Sequence, residues 1–206
     1  MERTPRIHAR IYERNVPGST EKLAASSVGI AGCGGLGSNA AIALARAGIG
    51  RLILADRDLV EESNLNRQSF FLSDVGKVKV EALASMIAAI NPGIRLDIHR
   101  TEVSPGNAAE LFAEADLLIE AFDRAESKRW LMEAWCRSFP ERPIVGASGI
   151  SGIGKSSGIA VRSSGNIYII GDQETSMEIG LCSARVGLVA NMQANVAIAL
   201  LTGMEI

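Results

Sequence analysis

The sequence predicts a doubly wound α/β protein with a mostly parallel sheet. Short runs of β-branched and aliphatic residues alternate with longer stretches of helical periodicity along most of the chain. A glycine-rich turn joins the first such run to the first long helical stretch. Aromatic residues make up only 4% of the chain while glycines number 21, which suits a sheet packed with small aliphatic side chains. Strands that alternate with helices form parallel β-α-β units.

The alternation is regular up to residue 147 and then changes. The expected elements are a strand at 28–31, helix 38–47, strand 52–55, helix 77–90, strand 95–99, helix 107–113, strand 117–120, helix 125–139 and strand 143–147. Two further runs, 158–161 and 166–170, are predicted to pair as a hairpin, so the far edge of the sheet turns antiparallel. The last helix, 184–201, is apolar almost all round, which predicts burial, partly against a second subunit.

Composition favours one domain, 23–206, after an N-terminal extension, 1–22, that is predicted to reach a second subunit. The net charge of -2 is made of interspersed acids and bases, which argues against a nucleic-acid partner. We expect no membrane segment, because on inspection no apolar run approaches the length needed to span a bilayer. The three cysteines, Cys33, Cys136 and Cys182, form no C-x-x-C pair, which predicts a cytoplasmic protein without structural zinc.

A glycine loop follows the first strand and precedes a helix. Gly32, Gly34 and Gly37 satisfy G-x-G-x-x-G, Gly35 lies among them, and Asp56 closes the second strand. Such a loop lets the backbone approach a polyphosphate at a helix N-terminus, and the acid is placed to bind a ribose hydroxyl. The alternative, a turn that only packs helix against strand, explains neither Asp56 nor the flanking elements. The pattern therefore predicts a Rossmann-like nucleotide site, for either ATP or NAD.

The next segment favours ATP. It contains polar and cationic side chains where a nicotinamide would need a flat apolar slot. The alternative for any one of these cations is ordinary solvated surface charge, but the combination favours phosphate binding. The candidate ligands are Asp58, Asn64, Asn66, Arg67, Gln68 and Lys79.

These residues resemble the adenylylating domain of the ThiF/MoeB type, related to ubiquitin-activating enzymes. The resemblance rests on the glycine loop 32–38, the string S-N-L-N-R-Q at 63–68, Gly76 with Lys79, and the I-N-P at 90–92. It runs from about residue 23 onward. The chain length and residues 180–187 (GLCSARVG) resemble the compact group of the thiamine pathway most.

The resemblance implies an ATP-dependent adenylylation of the C-terminal glycine carboxylate of a small ubiquitin-like sulfur-carrier protein that ends in Gly-Gly. It implies that Asp56 holds the ribose, that Asn66, Arg67 and Lys79 meet the phosphates, and that Asp123 helps to hold Mg²⁺. The family also has an arginine that reaches the ATP site of the neighbouring subunit in a homodimer. Arg14 or Arg10 is the candidate for that role, and a free N-terminal side chain is the alternative.

Two features depart from the family pattern. There are no paired C-x-x-C motifs, which predicts a zinc-free protein, and Arg124 follows Asp123 where many relatives have asparagine. Cys182 is either a thiol that forms a bond with the carrier or a small buried side chain, and the second interpretation is favoured because adenylylation needs no thiol.

Three rival functions stay open at this point. They are an NAD-dependent oxidoreductase, a non-catalytic module that binds a ubiquitin-like tail, and an enzyme that activates a carboxylate on a tRNA base. A molybdopterin-type carrier is the alternative within the carrier-activating class.

Overall fold

The computed structural model describes residues 10–206, except the side chain of Met177. The first helix that lies wholly within the described range is α1 (Ser19–Ala24), and a parallel β-α-β pattern follows it. The elements are, in order, β1 (Ser27–Ala31), α2 (Gly35–Ala47), β2 (Arg51–Ala55), α3 (Lys79–Ile90), β3 (Arg95–His99), α4 (Ala108–Leu111), β4 (Leu117–Glu120), α5 (Ala125–Ser138), β5 (Ile144–Ala147), β6 (Ala160–Ser164), β7 (Ile167–Gly171) and α6 (Ser183–Thr202).

The seven strands form one sheet in the order β3-β2-β1-β4-β5-β7-β6. All neighbouring pairs are parallel except β6 and β7, which are antiparallel at the edge. The predicted doubly wound fold with an antiparallel far edge is therefore confirmed. The hairpin turn is shorter than expected: Ser164 pairs with Ile167, so only residues 165 and 166 connect the strands.

The central strands are covered on both faces. Every residue of β1 and β4 is buried, which is the pattern of strands inside a parallel sheet. One core cluster lies under α2, α3 and α6, and a second lies under α4 and α5. The sheet is thus the middle of three layers, and the connections after β1 and β4 run to opposite faces.

The last helix, α6, packs against α2 and against strands β4, β5 and β7. An 18-residue window of this 20-residue helix has a mean hydropathy of 1.3, so by length and composition the helix could cross a membrane, contrary to our inspection of the sequence. Half of that window is buried inside the protein. This burial is the pattern of a core helix, as its apolar composition predicted.

The described part of the predicted N-terminal extension packs on the domain. The Tyr12 hydroxyl donates to the carbonyl of Ala45 at 3.0 Å, and the Asn15 amide donates to the carbonyl of Ala47 at 2.9 Å. Both acceptors lie in the last turn of α2. The predicted boundary between residues 22 and 23 falls inside α1, and residues 1–9 of the extension lie outside the described residues.

Candidate nucleotide-binding site

A cavity of 620 Å³ opens at the carboxyl ends of β1, β2, β4 and β5. Strands β1 and β4 are neighbours here, and the chain leaves them toward opposite faces of the sheet. This is the switch point at which doubly wound sheets bind their ligands. The volume lies within the range that small-molecule sites have, roughly 300–1,000 Å³.

The glycine loop forms one wall of this cavity. The backbone N–H of Gly32 donates to the carbonyl of Ala55 at 2.9 Å, which fixes the loop on the end of β2. A Cβ on Gly37 would lie 1.9 Å from the carbonyl oxygen of Gly32, so only glycine allows this approach. Gly34 caps α2 without a side-chain hydrogen bond, which leaves the first N–H groups of the helix for a ligand.

Asp56 stands at the end of β2 and faces the loop. Its carboxylate accepts a hydrogen bond from the N–H of Cys33 at 2.7 Å and another from the N–H of Asp58 at 2.8 Å. The side chain is partly exposed and lines the cavity. Asp56 is thereby oriented at the position from which a carboxylate contacts a ribose hydroxyl in this fold.

Lys79 is the first residue of α3, and its side chain is 8% exposed. Its Nζ lies 3.1 Å from Oδ2 of Asp58, whose own side chain is 55% exposed. The pair joins the start of α3 to the loop after β2, and both residues line the cavity. Because Asp58 is half exposed, water can solvate its carboxylate if the Lys79 ammonium pairs with an anionic ligand instead.

Arg67 and Gln68 belong to a polar loop that is fixed on α2. The Asn39 amide donates to the carbonyl of Arg67 at 2.9 Å, and the Arg67 guanidinium donates to the carbonyl of Ser63 at 3.0 Å and to the Asn66 side chain at 2.7 Å. Within residues 10–206, the buried Oε1 of Gln68 has no hydrogen-bond donor. A nucleotide offers donors on its ribose and base, whereas its phosphates offer only acceptors.

Glu120, the last residue of β4, lies beneath the cavity floor with none of its surface exposed. The Lys128 ammonium lies 3.1 Å from both of its carboxylate oxygens, and the N–H of Phe122 donates to Oε1 at 2.7 Å. Burial raises the pKa of Glu120, while the charge of Lys128 opposes that shift. Sequence reasoning missed this pair because a carboxylate at a strand end and a lysine eight residues later show no motif.

The opposite wall is fixed by a second buried ion pair, between Asp172 after β7 and Arg185 in the first turn of α6. Asp172 also accepts hydrogen bonds from the N–H groups of Glu174 and Thr175, each at 2.9 Å. Arg185 donates to the carbonyl of Gly154. The pair therefore ties α6 to the two loops that line this side, and the sequence pattern gave no indication of it.

The structure brings most of the predicted site residues to one cavity. The residues that line it are Gly32, Gly34, Gly35, Asp56, Asp58, Asn64, Arg67, Gln68, Lys79 and Asp123. Gly37 does not line it because it packs under the loop, and Asn66 is exposed beside Arg67. Asn64 is mostly buried, and its Oδ1 accepts a hydrogen bond from the N–H of Glu61. This oxygen therefore stabilises the local turn.

Arg14 and Arg10 are exposed and do not line the cavity. Tyr12 and Asn15, on either side of Arg14, are fixed at the C-terminal end of α2, whereas the cavity lies at its N-terminal end. The helix has 13 residues. It is therefore about 20 Å long. An arginine at this position cannot reach the cavity of this chain without a large rearrangement.

The cysteines differ in their surroundings. Cys33 is fully buried in the glycine loop, and burial, together with the nearby charge of Asp56, raises the pKa of its thiol well above the ordinary value. Cys182 caps α6 with its backbone and is partly exposed, next to the cavity-lining Leu181. Because Cys33 is buried and its pKa is raised, we expect its thiol to react weakly, and the role of Cys182 stays a prediction.

No cluster of three or more histidine, cysteine or acidic side chains suited to a metal occurs within residues 10–206. Asp123 is exposed, lines the cavity, and has no hydrogen bond or ion pair within that range. Magnesium in nucleotide sites is bound by one or two carboxylates, phosphate oxygens and water. The Asp123 carboxylate, which lines the same cavity as the glycine loop, therefore fits a magnesium ion that arrives with a nucleotide.

The fold and the site together define a doubly wound nucleotide-binding domain, with a glycine loop at a helix N-terminus, a carboxylate at the ribose position and cations around the phosphate region. Its family follows from comparison with known proteins. The chain belongs to the ThiF family, whose model matches residues 8–206. This confirms the resemblance seen in the sequence.

Among curated relatives, the chain is 36% identical over 128 residues to the probable adenylyltransferase/sulfurtransferase MoeZ of Mycobacterium tuberculosis, covering 62% of this chain and 32% of MoeZ. It is 35% identical over 130 residues to the SAMP-activating enzyme E1 of Haloferax volcanii, covering 63% of this chain and 47% of that protein. The matched part thus spans between about a third and a half of these relatives.

Among solved structures, the chain resembles the E. coli tRNA N6-threonylcarbamoyladenosine dehydratase TcdA in complex with AMP, with a TM-score of 0.81 and 26% identity. The match covers 95% of this chain and 92% of TcdA. It also resembles E. coli MccB with ATP, with a TM-score of 0.72, 23% identity and coverage of 90% and 58%. The second likeness concerns the fold alone.

Proposed function

We propose that this protein uses ATP to adenylylate the C-terminal glycine carboxylate of a small ubiquitin-like sulfur-carrier protein. The observation that carries the proposal is the joint presence, in one cavity, of the glycine loop, Asp56, Arg67 and Lys79. Support comes from relatives such as MoeZ and the SAMP-activating enzyme, which are named adenylyltransferase or activating enzyme.

The reaction needs positioning and charge neutralisation more than proton transfer. The carrier's carboxylate oxygen forms a bond to the α-phosphorus of ATP, and the bond from that phosphorus to the β-phosphate oxygen breaks as pyrophosphate leaves. The nucleophile is already ionised, so no general base is required. The glycine loop and the N-terminus of α2 would hold the triphosphate, while Arg67 and Lys79 would neutralise charge that moves onto the leaving group.

Magnesium would add charge neutralisation on the phosphates when bound, as in other phosphate-transferring sites. Asp123 is the carboxylate of this chain that would hold it. Asp56 would orient the ribose. The Oε1 of Gln68, which has no hydrogen-bond partner among residues 10–206, would accept a hydrogen bond from the nucleoside. We further propose a homodimer, supported by the position of Arg14 at the far end of α2 from its own cavity.

Within this class we propose a carrier of thiazole formation in thiamine biosynthesis. Support comes from residues 180–187 (GLCSARVG), which resemble the thiamine-pathway group. A molybdopterin-type carrier is the alternative, and both belong in the same assay. We also propose a cytoplasmic site of action, in keeping with three cysteines that are free in the structure.

A second candidate is activation of a carboxylate on a tRNA nucleoside. One observation favours it: the likeness to TcdA extends over nearly all of both chains. The net charge of -2 weighs against it, because tRNA binding needs a basic surface.

The test is to incubate the protein with ATP, Mg²⁺ and separate small carriers ending in Gly-Gly, and to record intact carrier masses and pyrophosphate release. The proposal expects one adenylate added to a carrier, and no addition when the last glycine of that carrier is removed. Pyrophosphate release with tRNA but with none of the carriers would favour the second candidate. Tighter binding of NAD than of ATP in calorimetry would contradict both and favour an oxidoreductase.

A further inference from the structure

The turn that carries Asp123 is held by a buried ion pair between Glu120 and Lys128, and the proposed reaction assigns no role to either residue. Asp123 lies between the end of β4 and the start of α5, in a four-residue turn, 121–124. Glu120 immediately precedes the turn, and Lys128 lies in the first turns of the helix that follows it. The ion pair between them therefore closes the turn across its two ends.

Glu120 is held in one position by several independent contacts. Its carboxylate accepts from Lys128 and from the N–H of Phe122, and its carbonyl oxygen accepts from the Gln193 amide at 3.1 Å. Gln193 is itself fully buried in α6. The strand end below Asp123 is thus joined to α5 on one face of the sheet and to α6 on the other.

The neighbouring strand leaves space for this carboxylate. A Cβ on Gly146 of β5 would lie 3.1 Å from Oε2 of Glu120 and 2.4 Å from Cε of Met132. Any larger residue would therefore displace one of those two groups. A glycine at this position of a buried strand gives up side-chain packing, which is consistent with a site shaped to hold a charged group.

The ion pair adds no net charge to the cavity, although Lys128 lines it. The Lys128 ammonium approaches both oxygens of Glu120 at 3.1 Å, and its side chain is 19% exposed. A buried carboxylate without a partner costs several kcal/mol, so the pair stays together when a ligand binds above it. Lys128 is in this respect unlike Lys79, whose carboxylate partner is half exposed.

We propose that Glu120 and Lys128 are positioning residues, which hold the 121–124 turn so that the Asp123 carboxylate meets the cation of a bound nucleotide. They act through Asp123 and touch neither the nucleotide nor the metal. The inference rests on the proposed function only in that a metal–nucleotide complex must bind in the cavity, and it does not depend on which carboxylate is adenylylated.

The experiment measures how much Mg²⁺ strengthens binding of α,β-methylene-ATP, which is not cleaved at the α-phosphorus. Calorimetry with Mg²⁺ and with EDTA gives two dissociation constants, and their ratio is the magnesium-linked gain. We expect Glu120→Gln and Lys128→Met each to reduce this gain about tenfold, as loss of a group that orients a metal ligand does. Affinity in EDTA should stay within about twofold, because a positioning role leaves the phosphate ligands in place.

A matched control lies on the same helix. Arg129 is exposed, pairs with Glu133 at 3.8 Å and does not line the cavity. Arg129→Met removes the same charge as Lys128→Met and should leave both dissociation constants unchanged. If a single variant of the buried pair fails to fold, the double variant Glu120→Gln/Lys128→Met leaves no buried unpaired charge and provides the same measurement.

A double-mutant comparison decides how the pair acts. If Lys128 acts only through Asp123, then Asp123→Asn/Lys128→Met should lose no more of the magnesium-linked gain than Asp123→Asn alone. Additive losses would overturn the proposal. A tenfold loss of affinity in EDTA for Lys128→Met would also overturn it, because Lys128 would then be a phosphate ligand.

An unchanged magnesium-linked gain in the single variants, or no gain in the unmodified protein, would equally refute the positioning role. The calorimetric experiment contains no carrier protein, so its result does not depend on the proposed substrate. A protein that binds the metal–nucleotide complex but adenylylates no carrier would refute the proposed substrate and leave the role of Glu120 and Lys128 intact.

Discussion

Lys79 and Asp58 form an ion pair at 3.1 Å in which the cation is buried and the anion is half exposed. If the ion pair breaks, the free energy cost differs between the two partners. The Asp58 side chain can rotate into the solvent, whereas the buried Lys79 ammonium stays beside the glycine loop and needs another anion. The phosphates of a nucleotide are such an anion, so we expect Lys79 to exchange the Asp58 carboxylate for a phosphate when a nucleotide binds.

Lys79→Ala should lower ATP–pyrophosphate exchange about a hundredfold, because one preorganised cation is removed from the leaving group. Arg67→Ala should lower it by a similar factor. The folded state should survive both changes, since Asp58 and Ser63 remain solvated. Lys77→Ala is the matched control, because Lys77 pairs with Asp74 and does not line the cavity. Exchange at the unmodified rate in Lys79→Ala would exclude this residue from the phosphate site.

Arg14→Ala should leave ATP binding intact and reduce carrier adenylylation, because the residue is expected to act in the partner subunit's site. Arg14→Ala and Lys79→Ala are both expected to be poorly active alone. Mixed after unfolding and refolding together, they should recover about a quarter of the unmodified activity, because half the dimers are mixed and each has one intact site. No recovery would show that Arg14 acts within its own subunit, and full activity of Arg14→Ala alone would show that Arg14 has no role in adenylylation.

Cys182→Ser should leave adenylylation near normal. A carboxylate attacks phosphorus without a thiol, and Cys182 caps α6 with its backbone, which serine preserves. The measurement is carrier mass after reaction with ATP, with Cys136→Ser as the control at a cysteine outside the cavity. A folded Cys182→Ser protein that binds ATP and modifies no carrier would contradict this prediction.

Stability should depend on pH through Asp172. Burial raises the pKa of this carboxyl group, but hydrogen bonds from Thr175 and Glu174 and the charge of Arg185 outweigh it, so the pKa lies below its ordinary value. The folded state then binds the proton less readily than the unfolded chain. The resulting stability is present above the unfolded-state pKa of about 4 and is lost as pH falls through the lower folded-state value.

Asp172→Asn should therefore destabilise the protein by about 3 kcal/mol at neutral pH, because Arg185 is left buried without a counter-charge. The difference from the unmodified protein should narrow when the pH falls from neutral to below about 4, because Asp172 of the unfolded chain is protonated there. Urea unfolding at the two pH values measures both quantities, with Glu133→Gln as a control in an exposed ion pair. A difference that is equal at both pH values would contradict the assignment.

The sequence was a good guide wherever a residue's role depends on its neighbours along the chain. Strands β3 and β4 begin and end where periodicity placed them, and Asp56 faces the glycine loop as its spacing predicted. Helix boundaries were less accurate near the loop. Helix α2 begins at Gly35 and not at residue 38. Its first turn contains Gly35 and Gly37, and Gly37 must be glycine because a Cβ there would collide with the carbonyl of Gly32.

Features that depend on contacts between distant segments could not be predicted. Glu120 and Lys128 are eight residues apart, and Asp172 and Arg185 thirteen, but nothing in either spacing marks a buried pair. Their partners are set by how β4, β7 and α6 meet around the cavity. The position of Arg14 near the C-terminal end of α2 likewise depends on the contacts of Tyr12 and Asn15 with that helix, and no local sequence pattern predicts those contacts.

The contribution of α6 to the cavity has a consequence for how the protein is made. Arg185 fixes one wall and Gln193 holds the strand end below Asp123, and both belong to α6, which follows every strand of the sheet in chain order. Synthesis proceeds from the N-terminus, so the glycine loop and the first two strands leave the ribosome long before these side chains do. In a growing chain the glycine loop can therefore form early. The wall held by Arg185 and the strand end held by Gln193 cannot be fixed until α6 has left the ribosome and packed on the sheet.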